Sequence, residues 1–473
     1  MRSWAKRVSL LAGVLVLAAL SAAGWYLAKA LPIGTGYVAK YLCSSTFISG
    51  WDDKAVFRED VSPVNPIAKV VSYTIDRQEK SVRADTFGLF ESVALYREGC
   101  GCTLTQGVSP EERKRQPIAV PLARKILSQD LPWPEGNREK LDAVPPPGVD
   151  KVKLEKALGN AFAEESPEEP KKTRAVLVVY DGHLIAERYA PAFHRDMPLL
   201  GWSMAKSVTN ALVGILVRKG KLNLHEPAPV EEWRKEGDPR SRITLDQLLR
   251  MSSGLEFDEV YAPLHDVSNM LYGCADFAAY AASKPLEKEP DGTWNYSSGT
   301  ANIIARIVRR TIEKDEANYD RFMKEELFDR IGMTSAVIEP DPSGTFVGSS
   351  YALATPRDWA PFGQLFLQDG VWEGNRLLPE GWVQYSTTPT PKAPKREYGA
   401  LFWLNAGPDS DPGARTWPRV GRDAYSAQGF QYQRVIIIPS RKLVLVRFGA
   451  TSKNGAWNSQ TFILDVLSAL APP

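Results

Sequence analysis

The sequence predicts an α+β fold: a sheet built from both ends of the main region, with a helical insertion between them. Three observations carry this. Residues 175–189 read as a β-hairpin, helical periodicity dominates from about 203 to 330, and strand-like runs return after 420. At 473 residues the chain is long enough for two or three domains, taking roughly 150 residues for each. The expected divisions are 1–30, an N-terminal anchor or signal; 31–149, a small β-rich extension with a Pro-rich linker; and 150–473, the main domain. Its helical subdomain is expected at about 203–345.

Arg2, Lys6 and Arg7 precede an uncharged run from Val8 to Ala28. As a helix this run would cover about 31 Å, close to one hydrocarbon core. Trp25 and Tyr26 sit at its far end, where interfacial aromatics belong, and the basic flank keeps the N-terminus cytoplasmic. The run reads as a single-pass membrane helix over residues 8–28 with the body on the periplasmic side. The alternative is a cleaved signal peptide, with Ser21 and Ala23 before the cut and a periplasmic product. Either way the body is exported, which permits disulfides. Cys43, Cys100, Cys102 and Cys274 allow three complete pairings. Cys100 and Cys102 alternate in a strand-like run, and a bridge from Cys43 to one of them would pin the N-terminal segment to that strand.

Residues 30 to about 125 lack helical periodicity and hold strand-like runs at 69–74 and 92–96. Pro132, Pro134, Pro145, Pro146 and Pro147 mark a linker. A helix starts near Asp150. Two β-rich runs then flank the Asp181-Gly182 turn. Val208, Leu212, Ile215 and Leu216 recur at helical spacing before Gly220. Thr244 with Gln247 resembles a capping box, and 302–310 reads as a further helix. Strands at 433–438 and 443–448 and a helix at about 458–470 complete the order.

Basic and acidic residues balance, 58 against 56, so no nucleic-acid partner is indicated. The four histidines and four cysteines lack zinc-ligand spacing, and no metal or cofactor is expected. Chemistry concentrates in three places. Ser203-Met204-Ala205-Lys206 opens a helix, and three-residue spacing puts serine and lysine on one face. The lysine can take the hydroxyl proton where burial and neighbours hold it neutral. An N-capping serine would be the bland alternative, yet a cation in the first turn opposes both capping preference and helix dipole. Tyr296-Ser297-Ser298 precedes the 302–310 helix and offers a proton relay and a second hydroxyl. Ser426-Ala427-Gln428-Gly429-Phe430 enters a strand, where a glycine lets a ligand approach the backbone.

Taken in order, these elements resemble the serine β-lactamase and penicillin-binding-protein superfamily, nearest its class C-related esterase and amidase branch. The family carries SxxK, then Tyr-x-Asn or Tyr-x-Ser, then a Lys/His-x-Gly strand. Segments 243–255, 327–333 and 355–370 are similar as well, and the resemblance covers roughly 150–473. It implies the β-lactamase/transpeptidase-like fold, an antiparallel sheet flanked by helices. It implies Ser203 as acylated nucleophile, Lys206 as its base and Tyr296 as relay to the leaving group. The oxyanion hole would be the backbone N–H groups of Ser203 and Phe430. Ser298, Gln428 and Gly429 would contact a small ester or amide substrate. The stretch 257–261, ending in Tyr261, resembles one in the 6-aminohexanoate-dimer hydrolases, whose tyrosine hydrogen-bonds the substrate.

Two positions depart from the pattern. Ala427 stands where penicillin-recognising members carry Lys or His, which leaves a substrate carboxylate without a cation. Ser298 replaces the commoner asparagine. The expected function is therefore an exported esterase or amidase. A β-lactamase, a D-Ala-D-Ala carboxypeptidase and a catalytically silent binding protein are the alternatives. Gly201-Trp202-Ser203-Met204-Ala205 also approaches the GxSxG elbow of α/β-hydrolases. However, the last histidine, His265, lies far from the chain end, and no strand is expected before the elbow.

Overall fold

The computed structural model describes residues 2–109, 146–314, 318–408, 410–451 and 456–471, with scattered residues between 111 and 136. Pro132 and Pro145 of the expected linker lie outside the described residues. The first helix, α1, spans Arg2–Phe47 without interruption and passes through Pro32. This corrects the expectation of a β-rich segment from residue 30. From Ala30 to Ser44 the helix is buried or nearly so on every side. A helix covered all round shows no amphipathic period, so sequence periodicity could not reveal it. Two glycines permit the close fit. A Cβ at Gly34 would meet Ile67 at 2.4 Å, and one at Gly36 would meet the Tyr272 carbonyl oxygen at 3.0 Å.

A four-stranded antiparallel sheet follows: β1 (Ser72–Asp76), β2 (Ser81–Thr86), β3 (Leu89–Arg97) and β4 (Gly101–Leu104). The run expected as a strand at 69–74 divides into a 3-10 turn, Pro66–Val70, and the start of β1. Cys43 on α1 bridges to Cys102 on β4. Cys100 sits in the turn before β4, where Gly99 and Gly101 have positive φ, so its expected alternation with Cys102 in one strand does not hold.

The main sheet is antiparallel and drawn from both chain ends. Its order is β10 (Trp403–Leu404), β11 (Tyr425–Gly429), β12 (Gln433–Ile438), β13 (Leu443–Gly449), β5 (Thr173–Tyr180) and β6 (His183–Tyr189). The β5–β6 turn places Asp181 and Gly182 both at positive φ, as a two-residue hairpin requires. Seven of the eight β5 residues are buried because both sheet faces are covered. One face packs on α2 (Lys151–Phe162) and α7 (Ser459–Ser468) through Leu154, Leu158, Ile463 and Val466. The other packs on α3 (Met204–Arg218), α6 (Pro356–Leu367) and the helical insertion, which holds α4 (Leu245–Leu249) and α5 (Ser298–Glu313). The Thr244–Gln247 capping box forms at the start of α4. A two-residue strand, β7 (Leu199–Leu200), does precede Gly201. It joins β9 (Ala352–Ala354) and β8 (Val337–Ile338) in a separate small sheet.

The extension is bound into this body. Glu339, fully buried, accepts from Lys40 Nζ, from Ser44 Oγ at 2.9 Å and from the Cys102 amide at 2.6 Å. Asp60 pairs with Arg174 of β5 and accepts from Tyr41 at 2.6 Å. Tyr41 in turn packs on Trp202, with ring centroids 5.9 Å apart. The N-terminal helix therefore packs against the residue that immediately precedes Ser203.

Candidate active site

Ser203 enters α3 directly after Trp202, whose φ is +49°. A bulky residue in that region is uncommon and strained, and here it turns the chain sharply into the helix. Ser203 makes no side-chain cap bond. Its hydroxyl faces Lys206 instead, with Nζ 3.1 Å from Oγ. Lys206 is 1% exposed and has no carboxylate partner among the described residues. Its Nζ also lies 3.0 Å from Ser298 Oγ and 3.1 Å from the Ser349 carbonyl oxygen. The Ser349 amide is held by Asn302 Oδ1 at 3.2 Å. The Tyr296 ring closes the remaining side, its centroid 4.6 Å from Nζ. Tyr296 is itself propped by Trp403 and Tyr398, at 5.3 and 5.7 Å.

Ser298 is the first residue of α5, and Ser297 caps that helix by accepting from the Thr300 amide at 2.9 Å. Glu259 reaches the same helix start. Its Oε2 accepts from the Ser298 amide at 2.7 Å and its Oε1 from the Ser298 hydroxyl at 2.5 Å. A carboxylate at a helix N-terminus meets unsatisfied N–H groups and the positive end of the dipole. Tyr261 donates to the same carboxylate at 3.3 Å. The outer edge of the Tyr261 ring remains open to solvent and stacks on Phe430, which meets Trp202 edge-on at 5.8 Å. Trp202, Phe430 and Tyr261 thus form an aromatic rim.

β11 approaches the serine turn closely. A Cβ at Gly429 would sit 2.0 Å from the Gly201 carbonyl oxygen, so only glycine fits there. Ala427 is fully buried against the α3 side of the sheet. Gln428 is not brought to Ser203. Neighbouring residues of a strand face opposite ways, so Gln428 points away, donating to Ser426 Oγ at 2.8 Å. It lines a cavity of about 340 Å³ with Arg434, Tyr432 and Trp457. Burial lowers the Arg434 guanidinium to about 10 there. The structure therefore brings together Ser203, Lys206, Tyr296 and Ser298, with Gly429, Phe430 and Tyr261 at the mouth, and corrects the expected contact from Gln428.

Glu259 and Ser349 were not foreseen. Glu259 lay within the stretch resembling the 6-aminohexanoate-dimer hydrolases, but nothing in its spacing tied it to Ser298. Ser349 contributes only a carbonyl, which has no sequence signature.

A serine beside a buried lysine, on a helix tucked under an antiparallel sheet, defines a serine-hydrolase arrangement. A family model described as Beta-lactamase matches residues 170–460, more than half of the chain, and the protein belongs to that family. Among individual relatives, the chain is 25% identical over 226 residues to 6-aminohexanoate-dimer hydrolase of Paenarthrobacter ureafaciens. That alignment covers 45% of this chain and 56% of the relative, so little more than half of the relative's length is spanned. Two solved structures share the fold. A family VIII carboxylesterase has a TM-score of 0.53 at 14% identity, over 70% of this chain and 99% of that one. A penicillin-binding-protein homologue of Caulobacter crescentus has a TM-score of 0.50 at 14% identity, over 67% and 97%.

Proposed function

We propose that the protein is an exported, membrane-anchored serine hydrolase that cleaves neutral esters or amides through an acyl-enzyme on Ser203. The reading assigns catalysis to residues 150–473, behind an anchor at 1–30 and the extension at 31–149. The carboxylesterase and 6-aminohexanoate-dimer hydrolase relatives are in keeping with ester and amide substrates.

The observation that carries it is the 3.1 Å approach of the buried Lys206 Nζ to the Ser203 hydroxyl. The Ser349 carbonyl can only accept. The Ser298 hydroxyl has one proton, and Glu259 takes it, so toward Lys206 it can only accept as well. Three acceptors thus face Nζ, the Ser203 hydroxyl among them at 3.1 Å. To act as base, Lys206 keeps two N–H bonds on Ser298 and Ser349 and turns its lone pair to Ser203. Ser203 Oγ attacks the substrate carbonyl while its proton passes to Nζ. Backbone N–H groups of Ser203 and Phe430 hold the developing oxyanion. Tyr296 relays that proton from Nζ to the departing alcohol or amine, which restores both side chains, and water then attacks the acyl-enzyme by the reverse route. Gly429 keeps β11 near enough for the Phe430 amide to serve.

Substrate class follows from Ala427. A buried cation pairing with a substrate carboxylate is worth about 2–5 kcal/mol, and this strand position supplies none. The anchor rests on α1, whose apolar stretch is long enough to cross a membrane. A serine-directed phosphonate probe tests the assignment: it should attach to Ser203, and attachment elsewhere would sink it.

A further inference from the structure

The β2–β3 hairpin ends in a two-residue turn, Phe87-Gly88, flanked by the pair Thr86 and Leu89. Both turn residues have positive φ, +55° and +72°. Asn-Gly is the usual occupant of such a turn, because a bulky side chain is strained there. Phe87 is nevertheless 84% exposed, and Leu89 and Phe90 are 62% and 38% exposed. Val70, 47% exposed, stands at the same end, since β1 begins at Ser72 opposite Asp85. Four large apolar side chains therefore cluster at one tip without cover from the protein. The one carboxylate in the turn, Asp85, is occupied by the Gly88 amide at 2.6 Å. The exposed pair Arg83 and Glu91, 3.1 Å apart, stands back from the tip.

The position of this tip along α1 can be measured. β3 lies against α1 and runs in the same direction. Thr35 Oγ1 bonds the Phe90 carbonyl at 2.8 Å and Ser92 Oγ at 2.9 Å, while Phe47 packs on Tyr96 at 5.8 Å. From Thr35 to Phe47 the helix rises about 18 Å. From Phe90 to Tyr96 the strand rises about 20 Å, so the two rulers agree. Phe87 lies in the turn just past the Thr86–Leu89 pair, about 7 Å beyond Phe90. On α1 that is about four to five residues before Thr35, the level of Ala30 and Leu31. The tip stands within about one helical turn of Ala28, where the apolar run ends.

We propose that Phe87, Leu89, Phe90 and Val70 form a second membrane contact, dipping into the interfacial layer of the leaflet from which α1 emerges. This rests on the anchor reading above. Aromatic and aliphatic side chains on a polar body partition to that depth, which explains both the strained phenylalanine and its exposure. Two contacts instead of one would hold the catalytic body at a fixed orientation over the bilayer.

The test is collisional accessibility of spin labels on the full-length protein, with Cys100 and Cys274 replaced by serine. Labels are placed singly through Phe87→Cys, Gln78→Cys and Leu17→Cys, in vesicles of phosphatidylcholine and phosphatidylglycerol. Gln78 lies at the opposite end of the β1–β2 hairpin and is exposed. The label at 87 should collide several-fold more with oxygen, relative to a water-soluble nickel complex, than the label at 78. If 87 behaves like 78 while 17 is in lipid, the hairpin contact is wrong and the anchor stands. Shielding of 87 from both reagents would mean a protein contact and also overturn the proposal. A water-exposed label at 17 would remove the anchor reading and this one with it.

Discussion

Ser298 gives its hydroxyl proton to Glu259 at 2.5 Å while its other side lies 3.0 Å from Lys206. On the proposed mechanism, that polarity makes Glu259 a positioning residue for Lys206. Glu259→Gln replaces an obligatory acceptor with a group that can also donate, so Ser298 is free to turn its proton toward Lys206. Losses of about 10- to 100-fold are usual for partners that orient a reactive group. Glu259→Gln should lower kcat by that order with little change in KM, and alter the alkaline limb of the pH–rate profile. Glu259→Asp should recover part of the loss. Unchanged kcat in Glu259→Gln would show that Ser298 is oriented without it.

Ser203→Ala and Lys206→Ala should each abolish hydrolysis of a short-chain p-nitrophenyl ester. Because the two act as one unit, the double variant should lose little more than either single. A Lys206→Ala protein with near wild-type rate would exclude it as the base.

Gly429→Ala places a methyl group 2.0 Å from the Gly201 carbonyl oxygen. Backbone cannot yield there as a flexible side chain would, so β11 must move away from the serine turn. Loss of one oxyanion donor costs about 10²–10³ in kcat, and a loss of that size is expected. Steady-state kinetics alongside a thermal melt would check it, since full activity would mean that Phe430 does not serve the oxyanion.

With a buried alanine at position 427, penicillins and cephalosporins should turn over slowly while neutral short-chain esters are cleaved. Nitrocefin hydrolysis with kcat/KM above about 10⁴ M⁻¹s⁻¹, the low end of ordinary enzymes, would show that another group supplies the charge.

Burial raises the Cys274 thiol from 9.0 to about 11. At pH 8, below both values, a pKa two units higher leaves about 100-fold less thiolate. The greater nucleophilicity of a more basic thiolate restores about tenfold. Iodoacetamide should therefore modify Cys274 roughly tenfold more slowly than an unperturbed thiol, with a rate still rising above pH 10. A plateau near pH 9 would contradict this.

The main sheet was legible because its strands carry hairpin chemistry and apolar runs, and α2 and α7 because one face of each is exposed. The second half of α1 was not, since burial on all sides erases the period that marks a helix. Cys100 was misread because a turn with two positive-φ glycines precedes β4. Gln428 stands between Ala427 and Gly429 in sequence, but the two-residue period of the strand turns it to the other face. Ser203 and Lys206 share one helix turn, and the order of motifs pointed to Tyr296 and Ser298. Glu259 joins them from 39 residues away, through a loop whose path only the fold determines.

The burial of α1 against distant parts of the chain also sets an order of events. Lys40 is made early, yet its partner Glu339 lies 299 residues later. At about 5–20 residues per second, synthesis separates the two by roughly 15–60 s. Throughout that interval the helix has β2, β3 and β4 to pack on but lacks the wall around Glu339, and the pocket it completes beside Trp202 cannot close. Non-local pairings of this kind make folding slow, because the chain must be brought together over a long loop before any contact rewards it. The body should thus stay open until Glu339 and the strands after it have been made, and it depends on protection from aggregation meanwhile.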